Sequence, residues 1–209
     1  MRTLAIETAT EACSVALFDG AELVAHDHRV LGRGHAEQLV PMIAGLPDRG
    51  RAGQIMVSLG PGSFTGVRIG IATARALGFA WQAGVLGYPT LALVALMARA
   101  HYPAEPVTVC MNGGHGEWFV QEFDSDGRAE REVASLTPAL AAAGARHRVV
   151  AGNRAAQLAE LADNGQHAIE LLPDARAAIL LAPDELGHRI APMYGRGPDA
   201  RLPGGSMPA

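Results

Sequence analysis

The stretch SLGPGSFTGVRIGIATARALG, residues 58–78, decides how the fold is interpreted, because a run of glycines leads directly into a helix. It follows QIMVS, which has the apolar character of a buried strand. A glycine-rich turn between a strand and a helix can bind a phosphate, or it can let two segments pack closely. At the tip of this turn, Phe64 is predicted to pack into the core.

The fingerprints of phosphate-binding loops are not met by these glycines. A G-x-G-x-x-G motif counted from Gly60 requires a glycine at position 65, where Thr65 stands. A P-loop counted from the same residue also requires a lysine, and this chain has none, since all 17 basic residues are arginine. The pattern therefore favours close packing over phosphate binding.

Small residues recur every four positions along the predicted helix and form two neighbouring ridges. Glycine in a helix costs about 0.8–1.0 kcal/mol relative to alanine, so the glycines of the first ridge need a compensating close contact. That contact can be with the chain's own sheet or with another subunit, and the sequence leaves both alternatives open. The first ridge comprises Gly66, Gly70, Ala74 and Gly78, and the second comprises Ala72, Ala76 and Ala80.

Composition limits the classes of protein that this chain can represent. With 209 residues and 49% hydrophobic content, it can bury the core of one large α/β domain or of two lobes. Its net charge of -4 is unlike that of a free-standing nucleic-acid binder, so a partner would have to supply most of any RNA-binding surface. Two cysteines and no long apolar segment predict a cytoplasmic protein with reduced thiols and no membrane span.

The order of predicted elements indicates mixed sheets flanked by helices. The first half has the order β-β-β-α-β-α-β-α, a meander followed by crossovers. The second half begins with a hairpin and then alternates helix and strand less clearly. A boundary near Tyr102–Pro103 divides the chain into an N-terminal lobe, 1–102, and a C-terminal lobe, 103–209, with an irregular Pro/Gly-rich tail.

Three classes of enzyme each require a particular motif or set of residues in the sequence. A serine hydrolase requires G-x-S-x-G, but Pro61 and Thr65 flank Ser63. A glycoprotease-like metallopeptidase is disfavoured because no H-x-x-x-H occurs, and we predict neither a metal site nor a catalytic residue. A nucleotide-binding enzyme of the sugar-kinase or actin type is the stronger alternative. For it, the first strand and turn offer a candidate vestigial nucleotide site at Glu7, Thr8 and Thr10.

Three segments together resemble the bacterial TsaB (YeaZ) family: LAIETATEACSVALFDG (4–20), GPGSFTGVRIGIATARALG (60–78) and PMYGRGPDAR (192–201). The resemblance implies an actin/Hsp70/sugar-kinase-like (ASKHA) fold with two similar lobes. It also implies a non-catalytic dimerisation subunit of the complex that makes N6-threonylcarbamoyladenosine at adenosine 37 of tRNA. The implied partners are a TsaD-like catalytic subunit and a TsaE-like ATPase, with tRNA contacted only through the complex. The resemblance further implies no cofactor except ATP or ADP at the subunit junction, and a homodimer in isolation.

The family's pairing surface maps onto two helices of the N-terminal lobe, HAEQLVPMIAGL (35–46) and TGVRIGIATARALGFAW (65–81). On this basis we expect Gly70→Leu to block pairing while leaving the monomer folded, and Arg68 and Arg75 to form charge pairs at the contact. The predicted interface residues are His35, Leu39, Met42, Gly66, Arg68, Gly70, Ala74, Arg75 and Gly78.

The sequence departs from the family pattern at three places, one of which is a link from Ile43 to Gln54 that is shorter than usual. Glu7 stands where many relatives carry aspartate, and its longer side chain counts against ordinary nucleotide binding. The hairpin NGGHGEWF (112–119) replaces a DARRGEVY-like segment, so that Asn112 and Gly114 remove a carboxylate and an arginine. Roles tied to those two side chains are not carried over.

Overall fold

The structure, a computed structural model, describes residues 1–195, and its N-terminal half is built on a five-stranded sheet. The elements in chain order are β1 (Arg2–Glu7), β2 (Ala12–Asp19), β3 (Glu22–Val30), α1 (His35–Gly45), a 3-10 helix (Pro47–Gly50), β4 (Gln54–Ser58), α2 (Phe64–Trp81), β5 (Gly84–Tyr88) and α3 (Thr90–Arg99). The strand order is β3-β2-β1-β4-β5, antiparallel in the meander and parallel in the crossovers. The predicted order of elements in this half is confirmed.

The C-terminal half repeats this arrangement with shorter elements. They are β6 (Val107–Gly114), β7 (Glu117–Phe123), β8 (Ala134–Leu136), α4 (Pro138–Gly144), β9 (Val149–Ala151), α5 (Ala155–Ala162), β10 (His167–Ile169) and two 3-10 helices (Ala175–Leu180, Pro183–Glu185). The strand order β8-β7-β6-β9-β10 and the strand directions match those of the first sheet position by position. This duplication confirms the predicted fold class of two similar lobes with mixed sheets flanked by helices.

The two sheets are joined by a shared apolar core. Helix α3 lies between them, and its buried side chains pack together with residues of both sheets and of the 3-10 helix 175–180. Helices α1 and α2 cover the outer face of the first sheet, and α4 and α5 cover the outer face of the second. The predicted boundary at Tyr102–Pro103 falls in the connection between α3 and β6. Most of the predicted irregular tail, from residue 196 onward, lies outside the described residues.

The first small-residue ridge of α2 faces the chain's own sheet. A Cβ atom on Gly66 would overlap the Thr8 carbonyl oxygen, one on Gly70 would overlap Thr8 Oγ1, and one on Gly78 would overlap the Val85 side chain. Each glycine therefore permits a close approach of α2 to the sheet. The fourth member of the ridge, Ala74, is fully buried beside them.

This packing corrects much of the predicted partner interface. Gly66, Gly70, Ala74 and Gly78 are sealed between α2 and the sheet, so they offer no surface to another subunit. The α1 members are also inside the chain, because α1 turns these side chains toward the core. They are His35, Leu39 and Met42, and they are at most 6% exposed. Of the two alternatives left open by the sequence, the internal contact explains the glycines.

Candidate functional site

The outward side of α1 and α2 exposes eight apolar residues together with Glu37 and Arg75, and we call the eight apolar residues the exposed helix face. Phe79 is 89% exposed and Val40 is 55% exposed. Exposed apolar area of this kind, when contiguous, marks sites of protein association. The second small-residue ridge lies here, so a partner's backbone can approach α2 closely. The face comprises Ala36, Val40, Pro41, Ala44, Ala72, Ala76, Phe79 and Ala80.

The two arginines predicted to make charge pairs with a partner are engaged by their own chain. Arg75 Nη2 donates a 2.5 Å hydrogen bond to the carbonyl oxygen of Ile190. Arg68 donates to the carbonyl oxygen of Phe64 at 3.1 Å and to the hydroxyl of Tyr194 at 2.7 Å. Both therefore hold the segment 187–195 against α2. A charge pair with another subunit stays a prediction, and it would compete with these contacts.

The second feature is a cleft of about 390 Å³ between the lobes. The N-terminal lobe contributes the turn after β1 and the loop before α2, and the C-terminal lobe contributes the β6–β7 hairpin. The segment 192–195 closes one side, where Gly195 packs between Phe119 and Pro61. The lining residues used below are Thr10, Glu11, Phe64, Arg68, Asn112, His115, Asn153 and Tyr194.

Two aromatic rings and a guanidinium group form the mouth of the cleft. Phe64 is 68% exposed and Tyr194 is 61% exposed. The Arg68 Cζ atom lies 3.2 Å from the centre of the Phe64 ring and 5.5 Å from the centre of the Tyr194 ring. The prediction that Phe64 packs into the core is wrong, because the α2 N-terminus directs it outward beside the cleft.

At the back of the cleft, hydrogen bonds join the two lobes. Asn153 Nδ2 donates to both carboxylate oxygens of Glu11 at 3.0 Å, and Asn153 Oδ1 accepts from the Asn112 backbone N–H at 2.9 Å. Sequence reasoning assigned no site role to Glu11 or Tyr194. The one available signal was that Tyr194 stands in a segment resembling the TsaB family.

The three residues of the predicted vestigial nucleotide site are separated by the structure. Glu7 is fully buried, and its Oε1 accepts the Ala9 backbone N–H at 2.7 Å, while Oε2 has no hydrogen-bond partner among the described residues. Burial raises the pKa of the Glu7 carboxyl to about 7. Thr8 is also buried and donates to the Gly66 carbonyl oxygen at 2.8 Å. Of the three, only Thr10 lines the cleft.

The cleft is poorly suited to a magnesium–triphosphate group. At the N-terminus of α2, the Gly66 N–H is used by the Ser63 hydroxyl. Arg68 is the only permanent cation among the described lining residues, and the Glu11 carboxylate lies in the same cleft, where it would repel phosphates. Across residues 1–195, no group of three or more His, Cys, Asp and Glu side chains is placed to hold a metal ion.

Comparison with known proteins gives consistent results. Residues 29–174 match the family model described as "TsaD: tRNA N6-adenosine threonylcarbamoyltransferase". The "tRNA threonylcarbamoyladenosine biosynthesis protein TsaB" of Escherichia coli is 37% identical over 131 residues, which are 60% of this chain and 56% of that protein. The protein with the same name from Haemophilus influenzae is 33% identical over 57% of this chain and 52% of its own length. The matched region thus spans about half the length of these curated relatives.

A solved structure extends the similarity to nearly the whole chain. It is described as an uncharacterized protein with similarity to peptidase YEAZ from Pseudomonas aeruginosa. It is 30% identical with a TM-score of 0.76, over 93% of this chain and 99% of that one. The chain belongs to the family of TsaD-related proteins, and within it to the TsaB/YeaZ family. No helix in the described part of the chain has the length and apolarity needed to cross a membrane.

Proposed function

We propose that this chain is a non-catalytic scaffold subunit of the cytoplasmic assembly that makes N6-threonylcarbamoyladenosine on tRNA. In this role it binds and supports a TsaD-like catalytic subunit. The observation that carries the proposal is the exposed helix face, where exposed apolar side chains on α1 and α2 have no covering element in the described chain. The names of the relatives indicate the tRNA modification, and the exposed face supports the scaffold role.

The composition of the exposed helix face fits a partner that has the same fold. Alanines on α2 allow two helices to approach closely, while the large exposed side chains of Phe79 and Val40 can insert into the partner's surface as anchors. A partner with an equivalent pair of helices can pack α1 and α2 against its own pair. Roughly 800 Å² from each side suffices for a specific complex. A second copy of this chain could use the same face, which would explain a homodimer in isolation.

The remaining predicted components also belong to this proposal. A TsaE-like ATPase joins the pair, and any ATP or ADP binds at a junction between subunits. The Glu11 carboxylate and the single guanidinium of the chain's own cleft support the latter placement.

A nucleotide-binding enzyme is the alternative, and calorimetric titration of ATP with magnesium into the isolated chain distinguishes the two. Low-micromolar binding would favour the enzyme, whereas the scaffold predicts no such affinity.

Co-purification tests the scaffold role directly. The tagged chain is co-expressed with the TsaD-type protein of the same organism, as wild type and as Phe79→Asp. A charge at Phe79 on the exposed helix face should abolish co-purification, because it would be buried without a partner. Leu161→Asp is the control, since Leu161 on α5 is 55% exposed in the other lobe. Undiminished co-purification of Phe79→Asp, or equal loss in the control, would contradict the proposal.

A further inference from the structure

We propose that the mouth of the cleft between the lobes binds one unpaired nucleobase of an RNA strand. The inference rests on the proposed function in tRNA modification and deepens it, because it gives this chain a direct contact with the RNA. It concerns a different surface from the exposed helix face. The two proposals can therefore fail separately.

The first argument is the placement of the exposed aromatic side chains. Three aromatic residues among the described ones are strongly exposed, and two of these, Phe64 and Tyr194, meet at the cleft mouth. Arg68 stacks on one face of the Phe64 ring and bonds to both residues, which orients this group, while Phe64 and Tyr194 stay 68% and 61% exposed. Aromatic and guanidinium planes of this kind are the surfaces on which unpaired bases stack.

The second argument is the set of polar groups behind the rings. Asn153 holds the Glu11 carboxylate in place with two hydrogen bonds, and the carboxylate oxygens keep further acceptor capacity. An exocyclic amino group of a base can donate to such an oxygen. The Asn112 side chain is exposed on the neighbouring hairpin and can read the edge of adenine. The recognised base is thus an amino-bearing one, of which adenine fits best.

The third argument separates a base in a strand from a free nucleotide. A cleft of about 390 Å³ lies within the range of small-ligand sites and accommodates a base with part of its ribose. Arg68 at the mouth can neutralise one backbone phosphate, whereas Glu11 at the back opposes a polyphosphate. A single phosphate outside and a neutral base inside fits one nucleotide of a strand better than a free nucleotide with a polyphosphate.

Fluorescence titration of the isolated full chain tests the proposal. The probe is a five-nucleotide single-stranded RNA with adenine at its centre and 2-aminopurine as the neighbouring base, used at low ionic strength because the chain carries a net charge of -4. We expect saturable binding with a change in 2-aminopurine emission as the base restacks. Phe64→Ala and Tyr194→Ala should each weaken binding about fivefold or more, in line with the loss of one stacking ring. Phe64→Tyr and Tyr194→Phe keep a ring and should retain most of the affinity.

Phe79→Ala is the matched control, because it removes an exposed phenylalanine from the same helix outside the cleft. Retained binding in this variant, with loss in the two ring deletions, would support the site. Absence of saturable binding, or equal loss in the Phe79 variant, would overturn it. If adenosine or ATP displaces the RNA at equal concentration, the ligand is a free nucleoside and the strand is excluded. RNA binding by a wild-type chain that fails to co-purify with the TsaD-type partner would contradict only the scaffold proposal.

Discussion

Gly70 on α2 lies directly over the side chain of Thr8 at the end of β1, so closely that a Cβ atom at position 70 would overlap Thr8 Oγ1. One turn earlier, Thr8 Oγ1 donates to the Gly66 carbonyl oxygen at 2.8 Å. The Thr8 hydroxyl thus bonds to α2, and the two glycines allow the helix to lie close enough for this bond. The glycines therefore permit the close packing of α2 on the sheet.

Substitution of Gly70 should therefore destabilise the monomer, in contrast to the expectation from the sequence. Gly70→Leu inserts a side chain where none fits, and overpacking of this kind costs about 1–3 kcal/mol or more. Ala72→Leu, on the exposed ridge two residues later, should change the free energy of unfolding by less than about 0.5 kcal/mol. Urea denaturation followed by circular dichroism measures both. Equal midpoints for the two variants would show that α2 is not packed as described.

Replacement of Glu7 should change how stability depends on pH. Burial raises the pKa of this carboxyl to about 7 from about 4.5 in the unfolded chain. As pH rises between these values, the unfolded chain releases the proton first, and the native state is penalised by up to about 3 kcal/mol. Glu7→Gln removes the ionisation and keeps an oxygen for the Ala9 N–H. Its advantage over wild type should be small at pH 4.5 and full above pH 7.

Urea unfolding of both proteins at pH 4.5, 6 and 8 measures this difference. Glu22→Gln serves as a control, because Glu22 is an exposed carboxylate on β3 of the same sheet. A stability difference between Glu7→Gln and wild type that does not vary with pH would mean that folding does not raise the pKa of Glu7.

The fold was largely predictable, and the reasons are visible in particular elements. In the first sheet, β1, β2 and β4 are long apolar runs separated by clear turns, so their order could be assigned. In the second sheet, β8, β9 and β10 have only three residues each, which is too short for the alternating apolar pattern of a strand to be recognised. The pairing that repeats the first sheet becomes visible only in three dimensions.

The candidate sites were harder to predict, because they depend on the direction that side chains take. Both ridges of α2 consist of small residues, and sequence spacing does not say which one meets the sheet. The contact between Gly70 and Thr8 joins residues 62 positions apart, and the bond between Asn153 and Glu11 spans 142. Neither contact is marked by a pattern in the neighbouring sequence. The buried position of Glu7 was likewise hidden, since a glutamate beside a turn is ordinarily solvated.

Asn153 should be important for the relative position of the lobes. In Asn153→Asp, a carboxylate replaces the amide that donates to Glu11, and two negative groups then lie about 3 Å apart. We expect a loss of about 1–3 kcal/mol in the free energy of unfolding and faster proteolysis in the connections between lobes. Asn164→Asp, in an exposed loop, is the matched control. If Asn153→Asp is as stable and as protease-resistant as this control, the bond to Glu11 does not hold the lobes together.

The two cysteines should be unreactive in the folded protein. Cys13 and Cys110 are fully buried in central strands, and burial raises the pKa of their thiols to about 11 and about 12. Because the thiolate is the nucleophile, iodoacetamide at pH 8 should modify them only through unfolding. Mass spectrometry should then show labelling that is slow in buffer and complete in urea.

Labelling should also accelerate in Gly70→Leu, whose overpacked helix populates the unfolded state more. Rapid labelling of the native wild type would contradict the burial of these strands, and an unchanged rate in Gly70→Leu would contradict the coupling between α2 and the sheet.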